Sequence, residues 1–252
     1  MKKSISIVLI LALFLISSCI SQVKETPPLI ETNEGRTVFA ITDKAANLNN
    51  VTSVKITIDS IEVHSSEQGW VNVLNEQKTY DLLQLRNENS QVLLADVVLQ
   101  EGNYQQIRLN ISKVMVTDAE GEKEAKLPSG NLKLVGLIEV KPNTTSTVLF
   151  DFILDESLHV TGNGKYILAP VIQLETKTDA KVEIKQGKVE IKGGSVKEKK
   201  KLGMDAQGNV DINLKIPGDV EISIDNKGIV KVVGSYNKPE NVTNKSKGNN
   251  VY

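Results

Sequence analysis

Apolar residues recur at every second position along much of this chain, and that period dictates strands before any other question arises. Val54, Ile56 and Ile58 alternate with Lys55, Thr57 and Asp59. Side chains of a strand point alternately to its two faces, so the pattern predicts one buried face and one wet face. The alternation restarts out of phase at Ile61 and Val63, which predicts a bulge or bend near Asp59-Ser60. Ile107, Leu109 and Ile111 alternate with Arg108, Asn110 and Ser112, and Val148, Phe150, Phe152 and Leu154 form another inward row. Tyr166 to Ile172 is apolar in both phases, with Pro170 marking an edge or a bulge. Past the N-terminal apolar run no window has a persuasive helical period, although Tyr80 to Leu85 and Val92 to Leu99 leave room for a helical turn or two. The expectation is an all-β protein, an antiparallel β-sandwich.

The character changes after Leu174. Lys181-Val182-Glu183-Ile184-Lys185 repeats as Lys188-Val189-Glu190-Ile191-Lys192, separated by Gln186-Gly187. Matched strands around a two-residue turn ending in glycine predict a hairpin, though Gln-Gly is a weaker turn signal than Asn-Gly. A basic connector follows, in which Lys197-Glu198-Lys199-Lys200-Lys201 reads as a solvated loop. Further short strands are marked off by turns at Asp205 to Asn209, Pro217-Gly218 and Asp225 to Gly228. With no aromatic before Tyr236, residues 179–235 read as a second, smaller β unit with a thin core, leaning on its neighbour or on a partner.

The N-terminus gives the address. Met1-Lys2-Lys3, an apolar run from Ile5 to Ile16 and Ser17-Ser18 form a secretory signal, residues 1–18. That run is too short to span a bilayer as a permanent helix. Ile16-Ser17-Ser18-Cys19 resembles the lipobox of prokaryotic lipoproteins, which implies that Cys19, the sole cysteine, is lipidated after cleavage. Two chains on one cysteine suffice for stable anchoring. The protein is therefore expected to be exported and held on the membrane, facing away from the cytoplasm. Residues 19–35 are a polar tether with Pro27-Pro28, residues 36–178 the main sandwich, and residues 236–252 a polar, disordered tail.

Composition narrows the chemistry. A net charge of −1 argues against a nucleic-acid partner, and one cysteine excludes a disulfide framework or a thiolate zinc site. His64 and His159 are the only histidines. Each lies in strand-like sequence without a Gly-x-Ser-x-Gly elbow, and reads as an exposed strand residue ahead of a catalytic base. Gly162-Asn163-Gly164-Lys165 lacks the spacing of a phosphate-binding loop and reads as a tight turn. Trp70, the lone tryptophan, reads as a core anchor ahead of a sugar-stacking platform.

Residues from about Arg36 to Leu174 resemble the family known as domain of unknown function 4382, found on prokaryotic surface lipoproteins. The matching pieces include Ile41-Thr42-Asp43, Ile61-Glu62-Val63-His64, Trp70 and Asp81-Leu82-Leu83-Gln84-Leu85. They continue through Gly102 to Leu109, Leu127-Pro128-Ser129-Gly130, Asp151-Phe152, Ser157-Leu158-His159 and Gly162 to Tyr166, leading to Ala169-Pro170. The chain departs from the family's pattern at Lys44-Ala45 and at Ile153. The resemblance implies a sandwich of immunoglobulin or transthyretin type and no established activity.

Carboxylates near these motifs, Asp43, Asp151, Asp155 and Glu156, are weak candidates for a calcium site. Asp151 interrupts an apolar row, as Arg108 does, and an Arg–carboxylate pair between them is the expected structural solution. Asn-x-Ser/Thr triplets at Asn50, Asn110, Asn143, Asn241 and Asn244 permit N-glycosylation in a host that performs it. No cofactor and no catalysis are expected. The leading expectation is a non-catalytic surface protein that binds or scaffolds at the envelope, its partner an envelope glycan or surface protein. Its rivals are a fibre subunit assembling by strand pairing, with 181–192 as donor, and a surface enzyme.

Overall fold

Two six-stranded sheets face one another across the core in the computed structural model, which describes residues 33–43, 48, 50–218 and 220–233. The signal, Cys19, most of the tether, Lys44-Ala45, Asn241, Asn244 and the tail lie outside the described residues. The chain is nearly all β, as its alternation predicts.

The second sheet is built on two long strands, β2 (Val51–Ser65) and β6 (Gly102–Asp118). Short strands β3 (Gly69–Leu74) and β4 (Lys78–Asp81) flank β2, and β7 (Gly121–Glu124) and β8 (Asn131–Val140) flank β6. Pairing of β2 with β6 slips between Ile58 and Ser60, leaving Asp59 without a register partner. That bulge turns both Ile58 and Ile61 inward, each fully buried, and it accounts for the phase break in the sequence. A short helix α1 (Leu82–Asn87) follows β4, with the Asp81 side chain accepting from the Gln84 amide as N-cap. The stretch from Val92 to Leu99 is not helical; it belongs to strand β5 (Val92–Gln100).

The first sheet runs β12-β9-β1-β5-β13-β14, with β1 Glu34–Asp43, β9 Thr145–Phe152, β12 Val171–Lys185, β13 Lys188–Met204 and β14 Val210–Ile212. Only β1 with β9 is parallel. Because β12 also pairs with β13, the sheet curls until its edges meet. Closure at β5 is narrow: the Leu93 amide donates to Gly187 O and the Val189 amide to Gln91 O, each at 2.8 Å. One side of this sheet, with Phe39, Ile41, Phe150, Phe152 and Leu174, joins the main core against Ile56, Ile61, Ile107 and Leu109. Its other side holds a second small core, where Val182, Ile184, Val189 and Ile191 pack with Val38, Ala40, Leu93 and Leu149.

Two expectations change here. The division at 178/179 falls inside one strand, β12, and residues 179–212 complete the first sheet through β13 and β14. The lysine run is also strand. Lys197 pairs with Glu139 (2.7 Å), Lys199 with Glu175 (3.2 Å), Lys200 with Glu198 (2.9 Å) and Lys201 with Glu156 (3.0 Å). Alternating acids and bases let a strongly basic segment hydrogen-bond into a sheet without stranding its charges.

Candidate functional site

The wet face of the second sheet brings together an indole, an imidazole, a guanidinium, a carboxylate and a row of amides. Since Ile61, Val63, Ile107, Leu109, Leu132 and Leu134 all point inward, the residues between them must point out. Register fixes the rows they form. Trp70 lies opposite His64, which lies opposite Gln106; Glu62 lies opposite Arg108, which lies opposite Lys133; Ser60 lies opposite Asn110, which lies opposite Asn131.

These rows interlock. The Arg108 guanidinium stacks on the Trp70 ring, Cζ 3.6 Å from its centroid, within the range in which a ring quadrupole attracts a cation. His64 packs against the same ring, centroids 4.9 Å apart and tilted by 54°. Glu62 approaches Arg108 loosely at 3.8 Å, and both are about one-third exposed. Beside them Asn131 donates to Asn110 Oδ1 (2.5 Å), and Asn110 donates to Ser60 Oγ (2.7 Å). Trp70 is therefore a half-buried surface residue and does not anchor the core. A single indole among so few aromatics suggests a core position, but its phase on an edge strand puts it outside.

Arg108, Lys133 and Asn131 also line a cleft of about 600 Å³, closed on its far side by Gly208, Asn209 and Val210. That wall is the β13–β14 turn. The buried Asp205 side chain accepts from the Gln207 and Asn209 amides (2.9 and 2.8 Å) and from Asn209 Nδ2 (2.8 Å). Gly208 has φ +84°, and a Cβ there would stand 2.8 Å from Ser129 Cβ. A larger residue would push the two walls apart.

The expected Asp151–Arg108 pair is not made. Arg108 belongs to β6 in the second sheet, Asp151 to β9 in the first, opposite Thr42 and Gln173. Arg108 interrupts its apolar row because it takes the wet face of its sheet, whereas Asp151 takes the reverse side of the first sheet, the side that also carries Leu149 and the small second core. The calcium candidates do not converge either. Asp43 shares the core side of its sheet with Phe152, its register partner, while Asp151 lies on the reverse side with Thr42. Asp155 sits on the short helix α2 (Leu154–Ser157). Among the described residues no three His, Cys, Asp or Glu side chains are grouped so as to hold a metal ion.

His159 departs from expectation. It is half-buried in strand β10 (Leu158–Val160), beside a cleft of about 340 Å³ lined also by Asp155, Glu156 and Lys215. Burial pushes its imidazole pKa down, against a hydrogen bond with the Glu156 backbone and with help from Lys215. Burial also acts on the Glu156 carboxyl, upward, but hydrogen bonds from Lys215 (2.9 Å) and Lys201 (3.0 Å) outweigh it and hold that pKa below the usual range. His64 and His159 thus occupy different sheets and share no site. Of the described sequons, Asn50 and Asn143 are exposed, with φ +70° and +57°, whereas the Asn110 amide is tied into the hydrogen-bond row.

Residues 34–170 match the family described as Domain of unknown function (DUF4382). The chain belongs to the DUF4382 family. The DUF4382 segment includes the whole Trp70–His64–Glu62–Arg108 cluster, whereas the turn from Asp205 to Asn209 lies beyond it. No curated protein and no solved structure matched the chain.

Sequence reading missed Lys133, Asn131 and Asn209 as site residues. A usable signal existed for part of it: Glu62, His64, Arg108 and Asn110 all occupy the polar phase of their strands. Which of them meet depends on register between distant segments, and no local pattern encodes that.

Proposed function

We propose that this DUF4382 protein is a non-catalytic, lipid-anchored cell-surface protein that binds at the envelope through the outer face of its second sheet. The Trp70–Arg108 stack, with His64 and Glu62 beside it, is the observation that supports the reading most. An aromatic ring and a guanidinium held half-exposed in a fixed geometry are recognition groups, since pre-ordering lowers the cost of binding. Anchoring rests on the lipobox-like Ile16-Ser17-Ser18-Cys19, with the polar stretch ahead of β1 serving as tether; the expected tether end at residue 35 moves back, since Glu34 and Gly35 already pair in β1. Assembly by strand donation finds less support, because the 181–192 hairpin is engaged within its own chain.

The anchoring half is tested by metabolic labelling with a lipid precursor and fractionation. Wild type should carry label and enter the detergent phase on detergent phase partition, and Cys19→Ser should be unlabelled and enter the aqueous phase. A Cys19→Ser protein that still carries the lipid label would overturn it.

A further inference from the structure

Arg108 and Lys133 are direct register partners across β6 and β8. Like charges placed opposite one another weaken a sheet. Glu62 relieves Arg108 only loosely, at 3.8 Å, and Lys133 makes no ion pair among the described residues. The adjoining cleft of about 600 Å³ has both cations in its wall and no carboxylate among its lining residues, and its volume is of the class that holds small ligands. Asn131 is another of its lining residues, and the Oδ1 of that side chain is buried with no hydrogen-bond partner. A buried acceptor of this kind is costly unless something donates to it.

These groups specify complementary chemistry. Two opposed cations ask for a carboxylate, and the orphaned amide oxygen asks for a hydroxyl donor close by. Both occur together on one pyranose ring of a uronic acid. A neutral sugar leaves the cations opposed, and sulfate brings no donor to Asn131. We propose that the cleft binds an acidic saccharide of the envelope, its carboxylate between Arg108 and Lys133 and a ring hydroxyl donating to Asn131 Oδ1, that side chain turning out to the cleft wall as the sugar binds. The inference rests on the reading of this face as the binding surface. Trp70 is a positioning residue here, holding the guanidinium in place from beneath.

Trp70 is also the only tryptophan in the chain, so its fluorescence reports directly on Arg108. The experiment titrates the full chain in detergent with oligogalacturonate, its methyl ester, sodium sulfate and polyglutamate. The expected result is a saturable change with oligogalacturonate, weakened by salt, and binding at least about ten-fold weaker for the ester and for Lys133→Gln. Lys133→Gln should melt no lower than wild type, since it removes a like-charge opposition. Sulfate or polyglutamate binding as tightly as oligogalacturonate would overturn the proposal, as would no saturable change or unaltered binding by Lys133→Gln. Pelleting with isolated envelopes separates the two levels. If Trp70→Ala abolishes pelleting while oligogalacturonate has no effect, the saccharide class is wrong and the face stands. If neither variant alters pelleting, the face itself is wrong.

Discussion

His159 shows how far burial changes a residue's meaning. An imidazole pushed below its ordinary pKa of 6.5 stays neutral in the fold at a pH where the unfolded chain takes up a proton. The unfolded state then binds more protons, so stability rises with pH across that window and is lost as pH falls below about 6.5. Melting temperature should therefore drop between pH 7 and 5.5, and His159→Gln should flatten that part of the profile; an equal drop in both proteins would exclude His159 as the cause. The Arg108–Asp151 expectation failed for a reason of the same scale. Alternation tells which face of its own strand a residue takes, but it does not tell which strand lies alongside. Glu62 and Trp70 were the partners on hand, and the surface placement of Trp70 follows from its phase, shared with Asn72 and opposite to Val71 and Val73.

Elements were more legible than contacts. The bulge at Asp59, the inward rows, the turn at Gly162 to Gly164 and the 181–192 hairpin all follow from local sequence, because turn residues and period act over a few positions. The hairpin turn has Gln186 at φ +51° and Gly187 at φ +78°, the left-handed pair that Asn-Gly fills with least strain. Gln186→Asn should accordingly raise stability by about 0.5 kcal/mol in denaturant titration. Val189 is buried in the small core beneath that turn; Val189→Ala should cost about 1–2 kcal/mol, through lost burial and an unfilled cavity. An effect near zero would mean that the hairpin does not hold the sheet closed. The lysine run was misread because composition alone cannot distinguish a solvated loop from a strand whose neighbours supply Glu139, Glu156 and Glu175.

At the scale of the molecule, the family segment ends at residue 170, one residue before β12 begins. Yet β12 pairs with β9 from Ile172↔Phe152 to Lys177↔Thr147, and β13 is needed to bring the ring back to β5. The sandwich was legible in the sequence; its closure was not, since it depends on pairings between segments far apart in the chain. Thermal unfolding of the described region should show one cooperative transition, and a chain ending at residue 178 should lose it; two separate transitions in the full chain would restore the two-unit division. The same topology brings the 205–209 turn against the family's own face and completes the cleft there. The central claim, that this face binds the envelope, is tested most directly by sedimenting the soluble Cys19→Ser chain with isolated, delipidated envelopes. The account predicts saturable pelleting that falls at least about ten-fold in affinity with Trp70→Ala added. A chain that remains in the supernatant, or a Trp70→Ala chain that pellets like its parent, would contradict it.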